Sequence, residues 1–315
     1  MSIPPRAVPE SSLDPGAVAP PAISATRLLY WSVRRELWEN RSLYIAPLAA
    51  ATVYLVGFLI SLAGLPDKMR TVSALDPAKR SIALIMPYSH AALLLIVIGF
   101  VVAIFYCMDA LHGERRDRTV LFWKSLPVSD FTTVLSKASI PLLVLPLLLF
   151  VVIVVLELLM LLLSSVVLLV SGVGAATLWA QLPLFQMELV LLYILIVLAL
   201  WYAPLYGWLL LVSGWARRAI FLWVVLPPLV IGAFERIAFR TSHFSSLMKD
   251  LLVGFAANAF AFRTPDGALI DPHFIPLAQL TPGKFMSSPG LWIGLMFAVI
   301  FLTAAVRMRR YREPI

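Results

Sequence analysis

An all-α polytopic membrane protein with six transmembrane helices is the fold class this sequence predicts, and three observations carry it. Hydrophobic residues fill 61% of the 315 positions and charged residues only 13%, against roughly 25% charged in soluble domains, and mean hydropathy is +0.92. The apolar residues gather into six runs of about the length one crossing needs, ~20 predominantly apolar residues. Lys and Arg follow the ends of those runs instead of forming a basic domain. That distribution speaks for membrane topology and against nucleic-acid binding.

Residues 1–23 hold Pro4, Pro5, Pro9, Pro15, Pro20 and Pro21 and little apolar content. They bury too little surface to order themselves, so a flexible tail is expected, without the apolar core of a secretory signal. Residues 24–42 read as an interfacial helix. Leu29, Val33 and Leu37 recur at i, i+4 on one face, Arg27, Arg34 and Arg41 lie on another, and Trp31 and Trp38 suit the headgroup layer.

The crossings fall at about 44–63, 86–107, 139–163, 187–211, 219–233 and 291–306. Pro141 and Pro146 should bend the third, and the pair Pro227 and Pro228 should break the fifth, because each removes a main-chain donor. An even number of crossings puts both termini on one side. With that side cytoplasmic, sixteen of the 25 Lys and Arg residues lie inside and nine outside, the bias expected of a multi-pass protein of an inner (plasma) membrane. The last external loop, 234–290, contains an apolar run at 251–262 that is too short to span. It predicts a re-entrant or interfacial segment.

Between the second and third crossings lies the most highly charged connection, 109–138. Glu114, Arg115, Arg116, Asp117 and Arg118 form a mixed-charge cluster, and an apolar knot that includes Phe122 and Trp123 follows it. Thr119 can cap a short helix that Pro127 ends by biasing Leu126 out of the α region, and Ser129 and Asp130 can cap the next helix, which runs through Lys137 into the bilayer. The result is a short transverse helix carrying charges and a hydrophobic plug, suited to a socket on a partner.

The run Glu114-Arg115-Arg116-Asp117-Arg118-Thr119, with Leu126-Pro127-Val128-Ser129 and Ser136-Lys137, resembles the loop between the second and third spans of type-2 ABC transporter permeases. Arg118 and Ser136 stand where the family pattern has Gly before the Thr and Gly or Ala before the Lys. Arg35-Glu36-Leu37 with Arg41-Ser42 is similar to the elbow helix that precedes the first span in that family. The resemblance implies an N-terminal elbow helix at 24–42, a six-span domain over 43–315 and a cytoplasmic coupling helix within 109–138. It also implies a second permease copy or paralogue and a separate ATP-binding subunit that holds ATP and Mg. Contact with that subunit would fall to Glu114, Arg115, Arg116, Asp117, Arg118, Phe122 and Trp123. On this reading, reversing Glu114 to Lys or truncating Trp123 to Ala severs the partner without disturbing the fold.

Inside the apolar runs, Glu157 is the ionisable group to weigh. A charged carboxylate mid-span costs about 2.5 kcal/mol or more, so it should face protein or water or carry a proton. It is the candidate for a substrate path, with a structural glutamate as the equal alternative. Glu188 sits near an interface. Cys107 is the single cysteine, and the four histidines lack ligand spacing, so the sequence gives no support for a disulfide or metal site. Gly283-Lys284 lacks the rest of a phosphate loop, which leaves ATP hydrolysis to another chain and this chain with no cofactor of its own. Two functions from different classes remain: the permease of an ATP-driven exporter, which is not itself an enzyme, and an intramembrane enzyme or adaptor acting through Glu157 or the Tyr202 and Tyr206 region.

Overall fold

The computed structural model describes residues 24–73, 75–116, 129–172, 176–260 and 277–311. Six helices among them are long and apolar enough to cross a membrane, which makes the chain an all-α, multi-pass membrane protein. The amphipathic helix α1 (Ala25–Glu39) leads into the first span, α2 (Ser42–Leu62), and α3 (Leu65–Ser73) connects it to the second, α4 (Pro77–Arg116). The third span, Asp130–Val170, comprises α5 (Asp130–Ser139), a π-helical turn (Ile140–Val144) and α6 (Leu145–Val170). A short α7 (Ala176–Gln181) precedes α8 (Leu184–Trp201) and α9 (Ala203–Trp215), which together make the fourth crossing. The fifth is α10 (Ile220–Ala238). After α11 (His243–Val253), α12 (Phe255–Ala259) and α13 (Pro282–Ser287), the last crossing is α14 (Pro289–Tyr311).

The prolines act through the carbonyls they leave without a donor. Pro141 lies in a π-helical turn, where the helix accommodates it by widening. Ser129 caps α5 as expected, its Oγ accepting from the Thr132 N–H at 3.1 Å. The expected break at Pro227 and Pro228 is corrected: α10 runs through both. Pro228 leaves the Val224 carbonyl without its helical donor, and the Trp208 indole N–H on α9 donates to that carbonyl at 3.4 Å. A freed carbonyl supplied by a neighbour does not force the helix open. Within the crossing read at 187–211 the structure adds a break. The helix is interrupted at Tyr202 (φ −88°, ψ 4°), two residues before Pro204, which has no N–H to return to Leu200.

In lipid the apolar side chains gain little by leaving the solvent, so close approach of backbones does much of the packing. Ala91, Ala92 and Ala103 are buried along α4, and a Cβ added at Gly99 would collide with Leu149 of α6. Where α9 crosses α14, a Cβ at Gly207 would lie 3.2 Å from the Ala298 carbonyl oxygen. By contrast α10 buries no residue and stands at the edge of the bundle.

The interruption at Tyr202 has a second consequence. Trp201 Nε1 donates to the Leu251 carbonyl at 2.9 Å and the Tyr202 hydroxyl to the Leu252 carbonyl at 2.7 Å, while Tyr193 donates to the Ala259 carbonyl at 3.0 Å. The described part of the 251–262 run, split between α11 and α12, is therefore pinned against α8 and its C-terminal cap.

Candidate functional site: an ionic cluster that joins α1, α4, α5 and α14

Glu36 occupies the last turn of α1 on the face that carries Val33 and Leu37, both packed against the core, and it is fully buried. On the opposite face Arg34 stacks over exposed Trp31 and Trp38, 5.2 and 4.8 Å from their ring centroids. A buried carboxylate is tolerable only when it is paired and hydrogen-bonded, and Glu36 is both. Lys137 Nζ lies 2.9 Å from its Oε1, Arg35 Nη2 3.0 Å from the same oxygen, and the Tyr106 hydroxyl donates to Oε2 at 3.0 Å.

Lys137, 2% exposed, also lies 3.1 Å from Glu114 Oε1, which Arg35 Nη2 approaches at 3.2 Å. The other oxygen of Glu114 takes Arg309 Nη1 of α14 at 2.7 Å, and Arg309 Nε reaches Asp130 Oδ1 at 3.1 Å. Three carboxylates, Glu36, Glu114 and Asp130, thus meet three cations, Arg35, Lys137 and Arg309. Next to them Arg115 Nη1 donates to the Gly214 carbonyl at 2.8 Å, placing a cation on the C-terminal carbonyls of α9, where the helix dipole favours positive charge.

Burial by itself would push the Glu36 carboxyl upward. The charge and hydrogen bond of Lys137, then Arg35 and Tyr106, outweigh that and hold it below the ordinary carboxylate range. Glu39 lies at the cluster's edge, its Oε1 3.5 Å from Arg35 Nε, and there burial prevails and raises its carboxyl.

Glu114 and Arg115 are therefore buried groups bonded within the chain. The expectation that reversing Glu114 would leave the fold untouched is corrected: a lysine there would set an ammonium against Arg35, Lys137 and Arg309. Arg116, the last residue of α4, is exposed. Asp117, Arg118, Phe122 and Trp123, with Thr119 and Pro127, lie outside the described residues. Glu157 is fully buried on α6, far from the cluster, and is hydrogen-bonded to Glu188 of α8. Tyr88 of α4 lies beside the pair and bonds Ser164.

The sequence reading named Glu36 and Lys137 only as parts of larger patterns, and it did not single out Arg309. The available signal was Glu36 falling three residues after Val33 on an otherwise apolar face. Among the described residues no group of three or more His, Cys, Asp or Glu side chains could hold a metal ion. Comparison with protein-family models, with curated proteins and with solved structures returns no match to this chain.

Proposed function

We propose that this chain is the membrane-spanning permease subunit of an ATP-driven exporter of the type-2 ABC class, working with a separate ATP-binding subunit and a second permease copy or paralogue. The observation that carries the reading is where the two flanks of the 117–128 loop meet. Glu114, at the end of α4, and Lys137 and Asp130, on α5, enter one buried cluster with α1 and α14. A push on that loop by a partner would reach the second, third and sixth spans and α1 at a single point. Paired charges that are costly to separate suit such a joint, because they move as a unit.

In this reading α1 is the elbow helix, the 109–138 connection is the coupling loop, and both termini lie in the cytoplasm of an inner membrane. The 243–259 stretch, bonded to Trp201 and Tyr202 at the C-terminal end of α8, acts as a re-entrant segment that closes the far end of the pathway. ATP and Mg belong to the partner; this chain supplies the path and its movement.

The test is purification of the full chain from membranes with the ATP-binding subunit produced beside it. The reading expects a complex that hydrolyses ATP and in which hydrolysis responds to changes in the 117–128 loop. A chain that purifies alone and leaves ATP hydrolysis by the added subunit unchanged would overturn it.

A further inference from the structure

At the end of the bundle opposite the ionic cluster, a cavity of about 730 Å³ opens between α2, α3, α4 and the last turns of α6, within the 300–1,000 Å³ range of small-molecule sites. Its walls are apolar, with Phe58, Leu65, Val72 and Leu84 among them. The hydroxyls along it already donate within the chain: Ser61 to the Phe58 carbonyl at 2.7 Å, Thr71 to Lys68 at 2.8 Å, Tyr54 to Pro87 at 2.6 Å. An apolar chain would lose nothing in such a slot, whereas a polar ligand would find few free donors. The slot is open sideways, since Val53 and Leu94 on its rim are exposed on flanks of α2 and α4 where lipid would lie.

The mouth is cationic. Lys68 lines it, is exposed, and forms no ion pair among the described residues. The neighbouring cations are engaged: Arg70 with Asp67 at 3.3 Å, Lys79 with Asp76 at 4.0 Å, and Arg80 donating to the Leu75 carbonyl at 3.2 Å. These four basic residues sit at the end of the bundle where the overall distribution of Lys and Arg would place fewest.

We infer that this cavity is a binding site for an anionic phospholipid, one acyl chain lying in the slot and the headgroup phosphate on Lys68. The inference requires only that the six helices span a bilayer and does not depend on the exporter reading. Gly57 supplies a clean probe, because it lines the slot and a Cβ there would meet nothing within 4 Å.

The experiment is native mass spectrometry of the full chain in detergent with added dioleoyl phosphatidylglycerol or dioleoyl phosphatidylcholine, and with glycerol 3-phosphate as a headgroup lacking chains. The wild type should retain the anionic lipid roughly tenfold better than the zwitterionic one, because the choline ammonium beside the latter's phosphate offsets its charge and weakens the contact with Lys68. Lys68→Gln should abolish the preference. Gly57→Trp should reduce retention of both lipids while the unfolding midpoint stays unchanged, with Gly57→Leu as the milder filler should tryptophan lower expression. Equal retention of both lipids by the wild type, or full retention by both Gly57 variants, would overturn the inference. So would displacement by glycerol 3-phosphate, since the site would then bind a soluble anion.

Discussion

Lys137 donates to Glu36 at 2.9 Å across 101 positions of the sequence, and both side chains are almost wholly removed from solvent. That one contact fastens the amphipathic N-terminal helix to the start of the third span. Removing one partner of a buried pair costs up to about 3–5 kcal/mol when the other charge is left uncompensated, and Arg35, which also pairs with Glu36, should keep the loss below that limit. Lys137→Met should therefore lower the thermal unfolding midpoint sharply in detergent. Adding Glu36→Gln should recover part of the loss, because the two residues are in contact and their effects are not additive. Additive losses would show that the pair does not act as a unit.

Acid should loosen the same cluster in a defined window. The Glu36 carboxyl is held below its ordinary value of 4.5, so the unfolded chain takes up its proton first and the contribution of Glu36 is complete above that pH. It is lost as the pH falls below 4.5 through the lowered value. Glu39, raised by burial, works in the opposite sense and at higher pH. A pH series of unfolding midpoints should show an acid limb below 4.5 that Glu36→Gln flattens.

Much of this architecture was legible in the sequence. Hydropathy alone located the six crossings, and the Ser129 cap followed from local chemistry. The continuous α10 did not, because the carbonyl freed by Pro228 is satisfied by Trp208, a residue twenty positions away whose approach no local rule reveals. The ionic cluster was hidden for the same reason. Glu36, Glu114, Lys137 and Arg309 come from four separate helices, and each alone reads as an ordinary charge at a membrane boundary. The partner of Glu157 was likewise concealed, since Glu188 near an interface needs no partner until the packing of α6 on α8 supplies one.

The proline account makes its own prediction. Trp208→Phe should destabilise the chain by about 1 kcal/mol, the net worth of one hydrogen bond. In a Pro228→Ala background, where the helix can again donate to Val224, the same change should cost far less. Differential unfolding of the four variants decides it, and an equal cost in both backgrounds would refute the role given to the indole.

Topology can be read with a single thiol. Cys107 is the lone cysteine and is fully buried in the apolar core, so Cys107→Ala is the milder replacement and Trp123→Cys should then report position 123 alone. In intact cells an impermeant maleimide should leave position 123 unlabelled, and permeabilisation should expose it. Labelling in intact cells would place the loop and both termini outside, away from ATP.

In the proposed exporter the 109–138 connection docks an ATP-binding subunit, while the buried cluster formed by Glu114, Asp130 and Lys137 at its flanks serves the chain's own fold. The most direct measurement is the affinity of the purified ATP-binding subunit for wild type, Trp123→Ala and Glu114→Gln chains, taken alongside their unfolding midpoints. Loss of an interface anchor worth roughly 2 kcal/mol should weaken binding about thirtyfold for Trp123→Ala with its midpoint unchanged, whereas Glu114→Gln should lower the midpoint first. Unchanged affinity for a stably folded Trp123→Ala chain would contradict the account.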